Sequence, residues 1–227
     1  MSTVVVVDYG MGNLRSVSKA LESLGASARV SSNPRDVEQA EKLILPGVGA
    51  FPAAMRELYA RKLTEPITTA IAKGTPYLGI CLGLQLLFDE SDEGEGARGL
   101  GVLRGRVRRF SAQGGAQLKV PHMGWNQVNR SQRSEVPATE RGGSATKGGG
   151  RGQNGCPLLK DIPEGSFVYF VHSYYGDPVD RSVVALETDY GGRFASMVWH
   201  KNLYATQFHP EKSQAIGLKL LDNFIKL

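Results

Sequence analysis

The chain has 227 residues, 41% hydrophobic and 22% charged, which is ordinary for folded protein and allows one large or two small cores. Its net charge is +5, but five basic and two acidic residues between positions 130 and 156 supply +3 of that. The rest is close to neutral, so no nucleic-acid partner is expected. No apolar run approaches the ~20 residues of a membrane span. No signal-peptide pattern precedes the first strand, and the two cysteines form no CxxC, so a soluble, cytoplasmic protein is expected.

Val4, Val5, Val6 and Val7 form a continuous β-branched run, as in a strand buried on both faces. A turn at residues 8–13 follows. Leu14, Val17, Leu21 and Leu24 then recur at helical spacing, and Gly25 ends the helix. Residues 28–31 read as a second strand. Asn33 and Pro34 supply the N-cap and first position of a short helix. Leu43, Ile44 and Leu45 make a third strand, ending in Pro46-Gly47-Val48-Gly49. Helices are expected at about 52–62 and 65–73, with Gly74 as terminator, and a fourth strand at 77–80. Alternation of this kind predicts a parallel sheet with helices on both faces. Ligands bind such sheets at the carboxyl ends of the strands.

Beyond Ser91 the pattern turns to β. Residues 101–110 alternate like a half-exposed strand, and 167–175 read as one strong β run. Residues 183–186 and 194–199 flank a hairpin turn at 189–192. A second hairpin turns at Lys201-Asn202, and a helix begins near Ser213. His122 falls in a Pro- and Gly-containing stretch that reads as a turn. Residues 130–156 carry seven glycines from Gly142 to Gly155 and almost no large apolar side chain. They read as an insertion that cannot offset its ordering entropy. The spacing from Gly143 to Gly148 resembles a phosphate-binding loop, but Gly149 stands where lysine is required. Arg15 likewise replaces the third glycine of a dinucleotide fingerprint begun by Gly10 and Gly12. One α/β domain spanning 1–227, with an antiparallel extension, is expected.

The chemistry concentrates at Gly79-Ile80-Cys81-Leu82-Gly83. This is the cysteine form of the nucleophile elbow, a sharp strand-to-helix turn. Glycine two residues before and after the nucleophile relieves crowding in the turn. The helix N-terminus favours thiolate at Cys81 and leaves the Leu82 N–H free for a developing oxyanion. An amphipathic helix is expected to follow. A buried structural cysteine is the alternative. Among the four histidines, His209 stands out because Glu211 lies two residues on; in extended chain the two would share a face. Glu211 could then orient His209, whose other nitrogen could serve Cys81. Gly47, Val48 and Gly49 could form a second nest of N–H donors or a plain turn. His172 reads as a buried, hydrogen-bonded residue. Nothing has metal-ligand spacing, and neither metal nor cofactor is expected.

In that order, PGVG, GICLGLQLLF and QFHPEKS are similar to the class I (triad) glutamine amidotransferases. DYGMGNLRSV, VPHMGWNQV and YFVHSYY resemble, within that family, the glutaminase subunits of imidazole glycerol phosphate synthase. The resemblance covers nearly the whole chain outside 130–156. It implies a flavodoxin-like, mostly parallel sheet. It implies that Cys81 attacks glutamine to form a thioester, with His209 as base and Glu211 as its orienter. It implies an oxyanion hole from Gly47, Val48 and Leu82, and glutamine contacts from Gly49, Gln85, His172, Ser173 and Tyr174. Ammonia would pass to a HisF-like (β/α)8-barrel cyclase through a surface near Asn13, Trp125 and Lys212. A glutaminase subunit of another synthase, a cysteine hydrolase, or a non-catalytic partner-binding module are the alternatives.

Overall fold

The valines at 4–7 do lie in a strand buried on both faces, β1 (Thr3–Val7). Val4 and Val6 enter one apolar cluster and Val5 and Val7 another. The computed structural model describes residues 3–111, 118–131 and 155–227. Next come α1 (Leu14–Ser23), β2 (Ser27–Ser31), α2 (Pro34–Glu38), β3 (Lys42–Gly47), α3 (Phe51–Ala60) and α4 (Thr64–Ala72). Then follow β4 (Tyr77–Cys81), α5 (Leu82–Gln85), β5 (Phe88–Ser91), β6 (Ala97–Arg98), β7 (Leu103–Arg109) and β8 (His122–Arg130). The chain continues through β9 (Ser166–His172), β10 (Tyr174–Pro178), β11 (Val184–Asp189), β12 (Arg193–His200), β13 (Leu203–Thr206) and α6 (Gln214–Ile225).

Nine strands form one sheet in the order β2-β1-β3-β4-β13-β12-β11-β8-β9. The first five run parallel and the last four add antiparallel pairs. The α/β half and its antiparallel extension are therefore one continuous sheet. Apolar side chains of α1 and α6 join the cluster on one face, including Val17, Leu21, Leu221 and Phe224. Those of α2, α3 and α4, including Val37, Met55, Leu58 and Ile67, join the other. Asn33 caps α2 through its side chain, which accepts from the Arg35 N–H, with Pro34 in the first turn.

Several expectations need correction. The elbow helix is only the single turn α5. Leu82, Leu84, Leu86, Leu87 and Phe88 are all buried, so the run has no polar face. The chain leaves it for β5, which belongs to a separate four-stranded sheet, β10-β7-β5-β6. The expected single strand at 167–175 is broken at Ser173. Its first part, β9, lies at the edge of the large sheet, and β10 pairs with β7 in the small one. His122 sits in strand β8, not a turn; pairing with β9 carries the chain past Gly124, whose φ is +124°. Of the segment 130–156, residues 132–154 lie outside the described residues. At its ends, Arg130 closes β8 and Cys156 is buried in the core. The rejected phosphate-loop pattern at 143–149 lies outside the described residues.

The elbow is set by close backbone packing. Cys81 has φ 55° and ψ −107°, a strained conformation for a side-chain-bearing residue. A Cβ on Gly83 would lie 1.9 Å from the Leu45 carbonyl oxygen, and one on Gly79 would lie 2.6 Å from the Gly83 carbonyl oxygen. The turn thus folds against β3 only with glycine at both positions. Gly83→Ala is expected to destabilise the protein by about 3 kcal/mol or more, because backbone cannot yield as a side-chain tip can. Gly74→Ala, which meets no atom within 4 Å but keeps φ +95°, should cost only about 1 kcal/mol. Urea unfolding of both variants measures the difference.

Candidate active site

β4 delivers Cys81 to the carboxyl edge of the parallel strands, in register with Gly47 of β3. The thiol is 6% exposed and opens into a cavity of about 360 Å³. Cavity walls are Val48, Gly49, Leu82, Gln85, Glu93, Pro121, Val171, His172, Ser173 and Tyr174. All five residues expected to touch glutamine therefore meet around Cys81. The loop after β3 passes close by. Gly47 is packed so tightly that an added Cβ would lie 2.5 Å from the Tyr9 hydroxyl and 2.8 Å from Leu82 Cβ. Gly49 has φ +100°, a conformation only glycine adopts without strain. Leu82 opens α5 with its N–H at a helix N-terminus.

His209 follows β13 through Gln207 and Phe208. Its Nδ1 lies 2.8 Å from Glu211 Oε1, and both side chains are almost wholly buried. The two residues do not share a strand face. Pro210, Glu211 and Lys212 form a 3-10 turn with His209 as its cap, and the turn brings the carboxylate back to the ring. The His209 N–H donates to the Tyr169 carbonyl at 3.0 Å. The Ser213 hydroxyl donates to the His209 carbonyl at 2.7 Å and accepts from the Tyr169 N–H at 3.0 Å. His209 is thus tied to β9 from both sides.

With Nδ1 donating to Glu211, Nε2 is the free face of the His209 ring. It makes no hydrogen bond of regular geometry among the described residues. Burial works against protonation of His209. The charge and hydrogen-bonding of Cys81, followed by those of Glu211, outweigh it and hold the imidazole well above its usual range. The arrangement therefore favours the imidazolium form of His209 beside Cys81.

Gln207, which the sequence reading missed, closes the other side of the thiol. Its Nε2 lies 3.6 Å from Cys81 Sγ, and its Oε1 accepts from Gln85 Nε2 at 3.1 Å. Its place two residues before His209 was the available signal. Glu93 was also missed, hidden in an acidic run. It lines the cavity while its Oε2 accepts from the Phe51 N–H at 2.8 Å. Of the residues expected at a partner surface, Trp125 is 46% exposed on β8 and Lys212 Nζ lies 5.8 Å from the Tyr169 ring centroid. Asn13 caps α1, its side chain accepting from the Ser16 N–H. Among the described residues no three His, Cys, Asp or Glu side chains group as a metal site would need. No helix there is long and apolar enough to cross a membrane.

A buried thiol on a strained elbow, beside an imidazole hydrogen-bonded to a carboxylate, suits acyl transfer by a cysteine nucleophile. The glutamine amidotransferase class-I family matches residues 5–227. A protein of Syntrophotalea carbinolica, named imidazole glycerol phosphate synthase subunit HisH, is 49% identical over 97% of this chain and 98% of its own. One of Geobacter sulfurreducens with the same name is 45% identical over 99% and 98%. Among solved structures, PurLQS from Thermotoga maritima superposes with a TM-score of 0.68 at 19% identity, covering 99% of this chain and 98% of that one. The glutaminase domain of Trypanosoma brucei CTPS, with bound acivicin, gives 0.63 at 15%, covering 100% and 92%. These two share the fold. The chain belongs to the class-I glutamine amidotransferase family and, within it, to the HisH subunits.

Replacing Cys81 by Ala removes the strongest influence that raises the His209 pKa and leaves the opposing burial in place. The His209 pKa is therefore expected to fall, as followed by NMR titration of the imidazole; an unchanged or higher value contradicts the pairing.

Proposed function

We propose that this chain is the glutaminase subunit of an imidazole glycerol phosphate synthase. It hydrolyses glutamine to glutamate and ammonia, and passes the ammonia to a HisF-like (β/α)8-barrel cyclase. That partner makes imidazole glycerol phosphate and AICAR from PRFAR in histidine biosynthesis. The observation that carries the reading is the His209–Glu211 contact of 2.8 Å beside a thiol that opens into an amino-acid-sized cavity.

Each group has a part in the reaction. Cys81 thiolate attacks the side-chain amide carbon of glutamine. The oxyanion that forms takes hydrogen bonds from the Leu82 N–H and from the loop at Gly47 and Val48. Imidazolium at His209 gives its proton to the departing nitrogen, which leaves as ammonia, and the thioester remains. Neutral His209 then takes a proton from water, which attacks the thioester, and glutamate and the thiol are released. Glu211 keeps the Nδ1 proton in place throughout. Gly49, Gln85 and the His172-Ser173-Tyr174 wall hold the substrate, and the Glu93 carboxylate suits its α-ammonium group.

The partner would dock beside this edge. Met123 and Trp125 of β8 alternate onto one face with Phe167 and Tyr169 of β9. Met123, Trp125 and Phe167 are exposed, an apolar patch that a monomer rarely leaves uncovered. Lys212 borders it, and Asn13 stands at the loop beside Pro46, which Gly12 contacts. A biosynthetic role and two free cysteines fit the cytoplasm. We take residues 1–227 as one domain with an insertion inside 130–156 that plays no part in catalysis.

Mixing the chain with a HisF-like cyclase and a PRFAR analogue, and measuring glutamate release, tests the proposal. Low release is expected from the chain alone and a large rise in the complex. Cys81→Ala should lower the rate on the order of 10⁴-fold or more, as loss of a nucleophile does. A rate unchanged by Cys81→Ala contradicts the assignment.

A further inference from the structure

Two histidines lie beside the reaction without taking part in its proton transfers. His122 opens β8, His172 closes β9, and the two are register partners, both buried. His122 Nδ1 lies 3.1 Å from His172 Nε2. Either nitrogen could carry the shared proton, but the surroundings decide which does. Asn126, four residues along β8, has its amide nitrogen 3.0 Å from the Asp189 carbonyl and its amide oxygen 2.8 Å from the Gln127 N–H. A carbonyl only accepts and an N–H only donates, so the amide orientation is fixed.

That same amide nitrogen lies 3.2 Å from His122 Nε2. His122 Nε2 must accept, so the ring's proton is on Nδ1 and points at His172 Nε2. His172 Nε2 accepts in turn, and its own proton is on Nδ1, 2.8 Å from the Tyr174 carbonyl. That carbonyl is again an acceptor only. The direction imposed at Asn126 agrees with the group found at the far end. A second proton on either ring would set two donors face to face. Burial already lowers His122 to about 4 and His172 to about 3, so both are neutral at pH 7.

The chain of bonds ends in the cavity wall. Tyr174 and His172 line the cavity, and the Tyr174 carbonyl also accepts from Gln85 Nε2 at 2.8 Å. From Gln85 the contacts continue through Gln207 to Cys81 Sγ. Asn126 and His122 do not line the cavity. Taking the cavity as the glutamine site, we propose that Asn126 and His122 are positioning residues for substrate binding. They impose a single tautomer on His172, and His172 clamps the Tyr174 carbonyl and the 172–174 wall in the form that receives glutamine.

Two variants separate polarity from packing. His122→Asn keeps a side-chain N–H near the Nδ1 position but loses the ring, which stacks on Phe170 at 4.7 Å and on Tyr190 at 3.9 Å between centroids. His122→Phe keeps the stacking and loses the N–H. In the cyclase complex, His122→Phe is expected to raise the KM for glutamine about tenfold, the scale of one lost buried hydrogen bond, with kcat changed far less. His122→Asn should return the KM to within about threefold of wild type. The reverse order, or equal KM values, would assign the effect to packing and overturn the proposal. Should both variants fail to fold, ¹⁵N-histidine NMR of the wild-type chain at pH 7 decides: both rings must be protonated at Nδ1 alone, and an Nε2–H form of either overturns the proposal. Wild-type complex inactive on glutamine would overturn it through the site assignment instead, recognisable because the Nδ1–H pattern would persist.

Discussion

The closeness of Gly83 to the Leu45 carbonyl governs the site. With no room for a Cβ there, α5 lies directly on the end of β3, and Cys81 is held in a backbone conformation that it would not choose. Leu82 is packed against Gly47 at the end of β3 as well. One packing constraint therefore sets the Cys81 backbone, the start of α5 and its closeness to the loop after β3. Strain at Cys81, on the order of 1–3 kcal/mol for such conformations, is offset by the two apolar clusters that sandwich the sheet.

Electrostatics completes what packing begins. His209 is buried, and burial alone would keep it neutral, but Cys81 and Glu211 on its two sides reverse that preference. Its position is fixed by Ser213 and Tyr169, which tie the 3-10 turn to β9. His172, on the cavity wall, and His122 behind it are neutral for the opposite reason: burial lowers both. One imidazole that holds a proton and two that refuse one thus lie near each other, and of the pair only His172 reaches the cavity.

Much of this was legible in the sequence where local chemistry decides the outcome. Val4 to Val7 alternate between two clusters, so both faces had to be apolar, and they were. Gly79 and Gly83 flank the cysteine because a turn of that sharpness excludes any side chain. Elsewhere, long-range pairing overrode the local pattern. Leu82 to Phe88 read as an amphipathic helix because a fully buried run has no period to measure. It became one helical turn and a strand because β7 supplies a partner for β5. Pro121 and Gly124 signalled a turn, yet β9 pairs with β8 from His122 through Val128. His209 and Glu211 were paired correctly on the wrong geometry: Pro210 suits the first position of a 3-10 turn better than a strand. The small sheet could not be read at all, since β10, the strand that pairs with β7, lies more than sixty residues further along the chain.

The central claim is that Cys81, alone of the two cysteines, is the activated thiol of a glutamine site. Cys156 is equally buried, but burial pushes its thiol up to about 12, so it is inert at neutral pH. Incubation with a chloroketone analogue of glutamine, followed by peptide mapping by mass spectrometry, tests this directly. One label per chain, on Cys81, blocked by excess glutamine, is the predicted result. Labelling of Cys156, or labelling of Cys81 that glutamine does not prevent, would contradict it.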